Sequence, residues 1–371
     1  MIDRLRPALY MLAGAQRSTG PADASQAHKE SAMPHRIVFT GPGRVEYQAF
    51  EPASPGPGQV LVRARYTLMS PGTEGLLLSR QTEPGTHWHQ WLASGAPVYP
   101  GYCCVAEVVA LGTEVRSVRP GQMVAVRGGH ASHQVWDETA CYPVPEGFDL
   151  RLVPWWSLAK IAAQGARDAA YRLGDRVLII GAGPIGQMSL RWAFACGCAQ
   201  VIVCDPMELR LDLARRGGAC ATLARPITDC LVERDVGYGL VGRVWDGPAP
   251  RVVVDTTGNA QVFTAALMAV AEGGTVVMLG DTGAPSGQRL ASELLLRNLH
   301  IVGSHDKHVD ATWNHRTVCE LFFTLVGDGR MRLDGLNTHT FAPSAAAEAY
   351  AFATIRRGES LGILFDWSAV E

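Results

Sequence analysis

The sequence predicts an α/β chain in which an all-β, barrel-like block precedes a doubly wound parallel sheet. Three observations carry that prediction: an apolar run closed by a glycine turn (Arg176–Gly186), a second apolar run ending in an acid (Val201–Asp205), and a succession of short strand-like segments between Arg36 and Val144.

Val177-Leu178-Ile179-Ile180 are four consecutive apolar residues, the pattern of a parallel strand buried on both faces. Gly181-Ala182-Gly183-Pro184-Ile185-Gly186 follows at once. Its glycines permit a tight turn, close approach of the backbone to a pyrophosphate and close packing of the next helix, whose free N–H groups would face the phosphates. The second apolar run ends at Asp205, where a carboxylate can accept hydrogen bonds from an adenosine ribose. Its charge also repels a 2′-phosphate, so NAD is favoured over NADP; Arg210 is the residue that would accommodate a phosphate instead.

Within the first block, Ile37-Val38-Phe39, Val60 to Ala64, Val105 to Leu111 and Met123 to Val126 read as strands, with turns at Pro55-Gly56-Pro57-Gly58 and Arg119-Pro120-Gly121-Gln122. From Trp155, the residues Leu158, Ile161, Ala162, Gly165 and Ala169 recur at helical spacing as far as Leu173. Beyond Asp205, strand and helix alternate: Val252 to Asp255, a helix over Ala260 to Ala271, Thr275 to Gly280, and Ile301-Val302-Gly303. Helices near Thr317 to Val326 and Ala345 to Ile355 and a strand Gly362 to Phe365 complete the chain. Residues 1–32 are expected to be a disordered extension, with Met33 as an alternative start.

At 371 residues the chain is long enough for two domains, and 47% hydrophobic with 18% charged residues describes a globular protein with a sizeable core. A formal net charge of -2 argues against a nucleic-acid partner, and no apolar run reaches bilayer length, so no membrane is expected. Nine cysteines, with Cys196, Cys198, Cys204 and Cys220 in apolar segments, read as buried thiols of a reducing, cytoplasmic compartment. Only Lys29, Lys160 and Lys307 are lysines, so a lysine in an apolar setting is notable.

With these motifs in order, the chain resembles the medium-chain dehydrogenase/reductase superfamily from residue 34 onward. Pro120-Gly121-Gln122-Met123-Val124, Gly181 to Gly186, Asp205 with Arg210, Asp255-Thr256-Thr257-Gly258-Asn259, Glu272-Gly273-Gly274 and Leu336-Asn337-Thr338-His339 carry the likeness. It implies a GroES-like β-barrel domain (33–155, completed by 305–371) around a Rossmann sheet that binds the dinucleotide (156–304). It also implies cofactor contacts from Gly181, Gly183, Pro184, Ile185, Gly186, Asp205, Arg210, Thr256, Thr257, Gly258, Leu279, Gly280 and Ser304, a small-molecule substrate, and a homodimer through the edge of the parallel sheet.

The chain departs from that family where zinc-dependent members hold their metal. The cysteine-bearing turn is read here as Ser70-Pro71-Gly72-Thr73-Glu74, the Gly-His-Glu turn as Gly101-Tyr102-Cys103, and the third ligand falls near Trp156 and Ser157. Tetrahedral zinc needs three protein ligands, so no metal site is expected, and the variant turn resembles a zinc-less branch that includes bacteriochlorophyllide dehydrogenases and sugar or cyclitol oxidoreductases.

Side chains must then manage the proton and the developing alkoxide. Lys160 lies one helical turn beyond Trp156 and is the first candidate, as base or as cation. Tyr102 stands in the lost histidine's place and could donate to the substrate oxygen, Thr73 aligns with a proton-relaying hydroxyl, and His305 follows a strand lining the nicotinamide side. Leu76 interrupts any longer relay, and Glu74 reads as a structural acceptor within its turn. His339 reads as structural, and His87/His89 and His130/His133 as solvated surface pairs. Trp88, Trp91, Trp155 and Trp156 lie in stretches that the resemblance puts at the border of the substrate cleft, with burial in the core as the alternative reading. The expected activity is zinc-independent, NAD-dependent interconversion of a secondary alcohol and a ketone on a polyol, sugar or related metabolite. The alternatives are a bacteriochlorophyllide-type hydroxyethyl dehydrogenase, an NADPH-dependent quinone or enoyl reductase, and a non-catalytic NAD-binding protein.

Overall fold

The computed structural model describes residues 33–230 and 247–370; the expected extension at 1–32 lies outside them. In the first part β1 (His35–Gly41) pairs with β2 (Arg44–Ala49), and β3 (Gln59–Leu68) is the long strand on which the larger sheet is built. Its inward residues Val60, Val62 and Ala64 alternate with less buried neighbours, the period of two that gives a strand one core face. Two helices follow, α1 (Pro71–Ser79) and α2 (His87–Leu92), then β4 (Cys104–Leu111), β5 (Met123–Val126), β6 (His133–Asp137) and β7 (Tyr142–Pro143).

The expectation of an all-β block is therefore corrected by α1 and α2. Gly72 and Gly75 give α1 a poor helical signature, and it is held by its Pro71 start and by burying Leu77; α2 is set by the Thr86 cap, whose side chain accepts from the His89 N–H at 3.2 Å.

The helix α3 (Trp155–Asp168) opens the second part and is buried on nearly every side. It ends at Asp168 rather than at the expected Leu173, because Ala170 turns into the left-handed region (φ 47°) and Leu173 emerges into solvent. Next come β8 (Arg176–Ile180), α4 (Pro184–Ala195), β9 (Gln200–Cys204), α5 (Glu208–Arg216), β10 (Ala221–Leu223) and α6 (Ile227–Cys230). After residue 247 follow β11 (Val252–Asp255), α7 (Ala260–Ala269), β12 (Thr275–Met278), α8 (Glu293–Leu296) and β13 (His300–Gly303). All six strands are parallel, in the order β10-β9-β8-β11-β12-β13. The order reverses between β8 and β11, which opens a crevice beyond their carboxyl ends where a dinucleotide lies in such sheets.

Finally α9 (His315–Gly327) packs on α3, and β14 (Asn337–Phe341), α10 (Ala346–Ile355) and β15 (Gly362–Asp366) return to the first part. There β15 pairs antiparallel with the second half of β3, while β6 pairs with its first half. The chain's last strands thus complete the sheet that its first strands began.

All nine cysteines are free thiols; Cys198 and Cys204 are buried as expected, whereas Cys196 and Cys220 sit exposed at the ends of their segments. No helix among the described residues is long and apolar enough to cross a membrane.

Candidate active site

Two constructions meet at the crevice. The first is made of backbone. Gly181 adopts φ +92°, and a methyl group there would lie 2.6 Å from the Thr256 hydroxyl. On Gly186 it would lie 1.8 Å from the Gly181 carbonyl oxygen, so α4 packs on its own entry turn more closely than any side chain allows. At Gly183 the nearest atom would be an Arg210 guanidinium nitrogen 3.9 Å away, leaving that face of the turn open. Pro184 supplies the first helical position, where its missing N–H costs nothing, and Ile185 is half-buried beside it.

Thr256 ties the neighbouring strand end to this turn by donating to the Ile180 and Gly181 carbonyls at 3.0 and 3.1 Å. Thr257 folds back on Asp255, and Gly258 abuts Gly280, where a methyl group would lie 2.4 Å from the Gly258 nitrogen. Leu279 packs against Gly165 of α3, and the Ser304 hydroxyl donates to Asp168 at 2.7 Å.

Asp205 is only 5% exposed. Its two oxygens accept the Ala182 and Met207 N–H groups at 2.7 and 2.8 Å, each keeping a further lone pair for a ribose hydroxyl. The carboxylate therefore also braces the turn, and Arg210 stands 3.9 Å from it. These residues fit a nicotinamide dinucleotide: an open glycine face for the pyrophosphate, a free helix N-terminus and an acid for the ribose.

The second construction is made of side chains. Glu74 is fully buried, accepting the Ser70 N–H at 2.8 Å and the Tyr350 hydroxyl at 2.5 Å, with His130 Nε2 at 3.1 Å. That anchor fixes the Ser70–Glu74 turn and sets the Ser70 hydroxyl 2.5 Å from the Tyr102 oxygen, with Thr73 near enough to act on it. Burial drives the Tyr102 hydroxyl far above the ordinary tyrosine range, and the neighbouring Cys103 and Glu74 add to it, so it stays a protonated phenol.

Across the crevice Lys160, 4% exposed on α3, donates to the Asp306 carbonyl at 2.6 Å and to its carboxylate at 2.9 Å. Arg127, at the end of β5, pairs with the same carboxylate and lies over the Tyr102 ring, 5.2 Å from its centre. Burial opposes the Asp306 charge, yet the two cations outweigh it and hold the carboxyl below its usual range. Burial lowers the Lys160 pKa, with Asp306 restoring part of it. Two cations thus share the Asp306 carboxylate, and Glu74 is the second acid of the corner.

The structure thus brings Lys160, Tyr102 and Thr73 to one corner, but His305 is turned outward, its side chain 64% exposed and its Nδ1 accepting the Lys307 N–H at 3.1 Å. Its neighbour Asp306 is the residue sequence reasoning missed, together with Arg127, Ser70 and the half-buried His315, whose pKa burial and the nearby Lys160 and Arg127 lower. Their partners lie far along the chain, so no local motif marks them. The reading of His130 as a surface histidine is corrected: it is buried between Glu74 and Thr67, its Nδ1 2.7 Å from the Thr67 hydroxyl oxygen. Glu74 and His339 are structural as read, His339 packing on Phe352 with ring centres 4.5 Å apart.

The tryptophans separate into two pairs. Trp155 and Trp156 are wholly buried core residues, Trp155 donating to Asn337 at 2.7 Å, because α3 lies between α4 and α9. Trp88 on α2 reaches the crevice wall and donates to Asp281 at 2.7 Å, and Trp91 beside it is 56% exposed.

The family described as zinc-binding dehydrogenase matches residues 184–315. The chain is 23% identical over 368 residues to sorbitol dehydrogenase of Macaca fascicularis, covering 88% of this chain and 94% of that one. Both matches agree with the expected medium-chain dehydrogenase/reductase superfamily. The chain is also 27% identical over 258 residues to D-guloside 3-dehydrogenase of Escherichia coli (strain K12), covering 67% of this chain and 72% of that one. Among solved structures, an alcohol dehydrogenase from Escherichia coli CFT073 in complex with NADH superposes with a TM-score of 0.73 at 18% identity, over 90% of this chain and 99% of that one.

The superfamily includes zinc enzymes, and the donors at this corner do not fit zinc. Pro71 offers no donor, Tyr102 stands where the family has histidine, and Trp156 and Ser157, where the third ligand would fall, bring no Cys, His or carboxylate, so three ligands are not assembled. Among the described residues, no group of three His, Cys, Asp or Glu side chains could hold a metal ion.

Proposed function

We propose that this protein is a zinc-independent, NAD-dependent dehydrogenase that interconverts a secondary alcohol and a ketone on a polyol, sugar or related small metabolite. One observation carries the reading: the corner where relatives of this fold place metal ligands presents a protonated phenol, Tyr102, beside two cations, Arg127 and Lys160, that share the Asp306 carboxylate. When bound, the nicotinamide ring accepts hydride from the alcohol carbon or returns it to the ketone.

The chain's own residues handle the oxygen. The Tyr102 hydroxyl orients it by hydrogen bonding, and the charge that develops on it is stabilised by the buried cations, which act strongly where water is excluded. In oxidation the substrate's hydroxyl proton passes to solvent at the open crevice as hydride leaves the carbon, and in reduction it returns from solvent; Tyr102 keeps its own proton, its oxygen 2.5 Å from Ser70 Oγ. Lys160 acts as a cation fixed by Asp306 and not as a free base, since its ammonium already donates to two Asp306 oxygens. Relatives named for sorbitol and D-guloside support the substrate class, and the Asp205 carboxylate supports NAD over NADP.

The test is turnover with NAD across an alcohol panel, with metal content measured on the active protein. Activity that survives chelation in protein without stoichiometric zinc is expected, and Lys160→Met is expected to lower kcat by about 100-fold or more with NADH affinity retained. Zinc lost together with activity, or unchanged turnover in Lys160→Met, defeats the proposal.

A further inference from the structure

Arg127 is more than the corner needs for charge alone. Lys160 already supplies a buried cation, and a point charge is sufficient to stabilise a developing alkoxide. Arg127 instead presents a plane. One nitrogen of its guanidinium, Nη1, is fixed by Asp306, and its central carbon lies over the Tyr102 ring 5.2 Å from the centre.

The remaining edge, Nε with Nη2, meets no acceptor among the described residues and is not sealed from solvent, the side chain being 26% exposed. The two carboxylates of the corner are engaged: Glu74 by Ser70, His130 and Tyr350, and Asp306 by Arg127 and Lys160. The half-buried His315 faces the same cluster and is held toward its neutral form, first by burial and then by the two cations. What the corner lacks is an anion with two parallel oxygens.

We propose that the substrate carries a carboxylate, seated on the free edge of Arg127 as a two-bond fork, and that the oxidised carbinol lies beside it against Tyr102. A planar guanidinium held at Nη1 by Asp306 and placed over the Tyr102 ring leaves Nε and Nη2 to match a carboxylate in hydrogen bonds and plane. The substrate class is then a sugar or polyol acid in place of a neutral polyol. This rests on the corner being the substrate site, as the proposed function has it.

The experiment is calorimetry on the protein loaded with NADH, where no turnover occurs, using sodium D-gluconate, D-sorbitol and D-sorbitol 6-phosphate as probes of one carbon skeleton. Gluconate is expected to bind at least about tenfold more tightly than either of the others. Arg127→Gln is expected to abolish that preference with NADH affinity unchanged, and Arg127→Lys to restore only part of it. If Arg127→Gln does not fold, Arg127→Lys alone decides, through its diminished preference. Equal affinity for gluconate and sorbitol, absence of binding by both, tightest binding by the phosphate, or an undiminished preference in the variants overturns the proposal. Failure of the dehydrogenase reading shows separately, as absence of NAD-linked turnover on any alcohol while the binding preference stands.

Discussion

The glycine turn at Gly181–Gly186 and the corner around Asp306 face the same crevice and are built on opposite plans. The turn is local, with a carbonyl and the helix that closes on it six residues or fewer apart, and its tolerances are set by backbone atoms. The corner is assembled from the end of β5, the middle of α3 and the loop after β13, and its tolerances are set by charge balance. A turn of the first kind fails by collision; a corner of the second kind fails by leaving a charge without its partner.

The sharpest way to break the comparison is therefore Asp306→Asn. It leaves Lys160 and Arg127 facing each other without the carboxylate, and removing one partner from a buried charge cluster costs about 3–5 kcal/mol. Because the Asp306 carboxyl is held below its unfolded value of 3.8, its contribution is complete above that pH and is lost as the pH falls through the lower folded value. Denaturant unfolding of the native protein and the variant is expected to differ fully at pH 7 and to converge as the pH is taken below 3.8. A difference that persists undiminished in acid would mean that Asp306 acts by packing and not by charge.

The same contrast explains what could be read from the sequence. Gly181, Gly186 and Asp205 are legible because a strand, a turn and a helix occur in one short stretch and only glycine satisfies the turn. The strand order follows from the alternation of apolar runs and helices. Arg127 and Asp306 carry no such mark: one is an arginine after a short strand, the other an aspartate beside a histidine that attracted notice for its titration range. Lys160 could be singled out because lysines are scarce, yet its partner could not. The strand-and-loop context of His130 and His133 reads as a solvated surface, whereas Thr67 and Glu74, far back along the chain, hold His130 in the core. Trp155 and Trp156 are ambiguous for a related reason: the sequence shows an aromatic pair at a helix start, and only the packing of α9 over α3 makes them core.

A smaller effect is expected from Gly186→Ala. The added methyl group would fall 1.8 Å from the Gly181 carbonyl oxygen, so α4 must shift away from β8. Such overpacking against backbone, which cannot rotate aside, costs about 3 kcal/mol. The measurement is the unfolding free energy without cofactor. A variant as stable as the native protein would show that the close approach of helix and turn is not required by the fold.

Gly183→Ala sharpens the comparison with the smallest change. Its backbone is extended on the ordinary side of the map, and the nearest atom to an added methyl group is the Arg210 guanidinium 3.9 Å away. The protein alone therefore has no use for the missing side chain, and stability without cofactor is expected to stay within about 0.5 kcal/mol of native. The space suits a pyrophosphate approaching the backbone N–H groups. NADH affinity, read by quenching of tryptophan fluorescence, is expected to fall by about tenfold, or 1.4 kcal/mol. An affinity that survives the methyl group would move the pyrophosphate off this face of the turn, and with it the reason for a glycine where the fold itself asks for none.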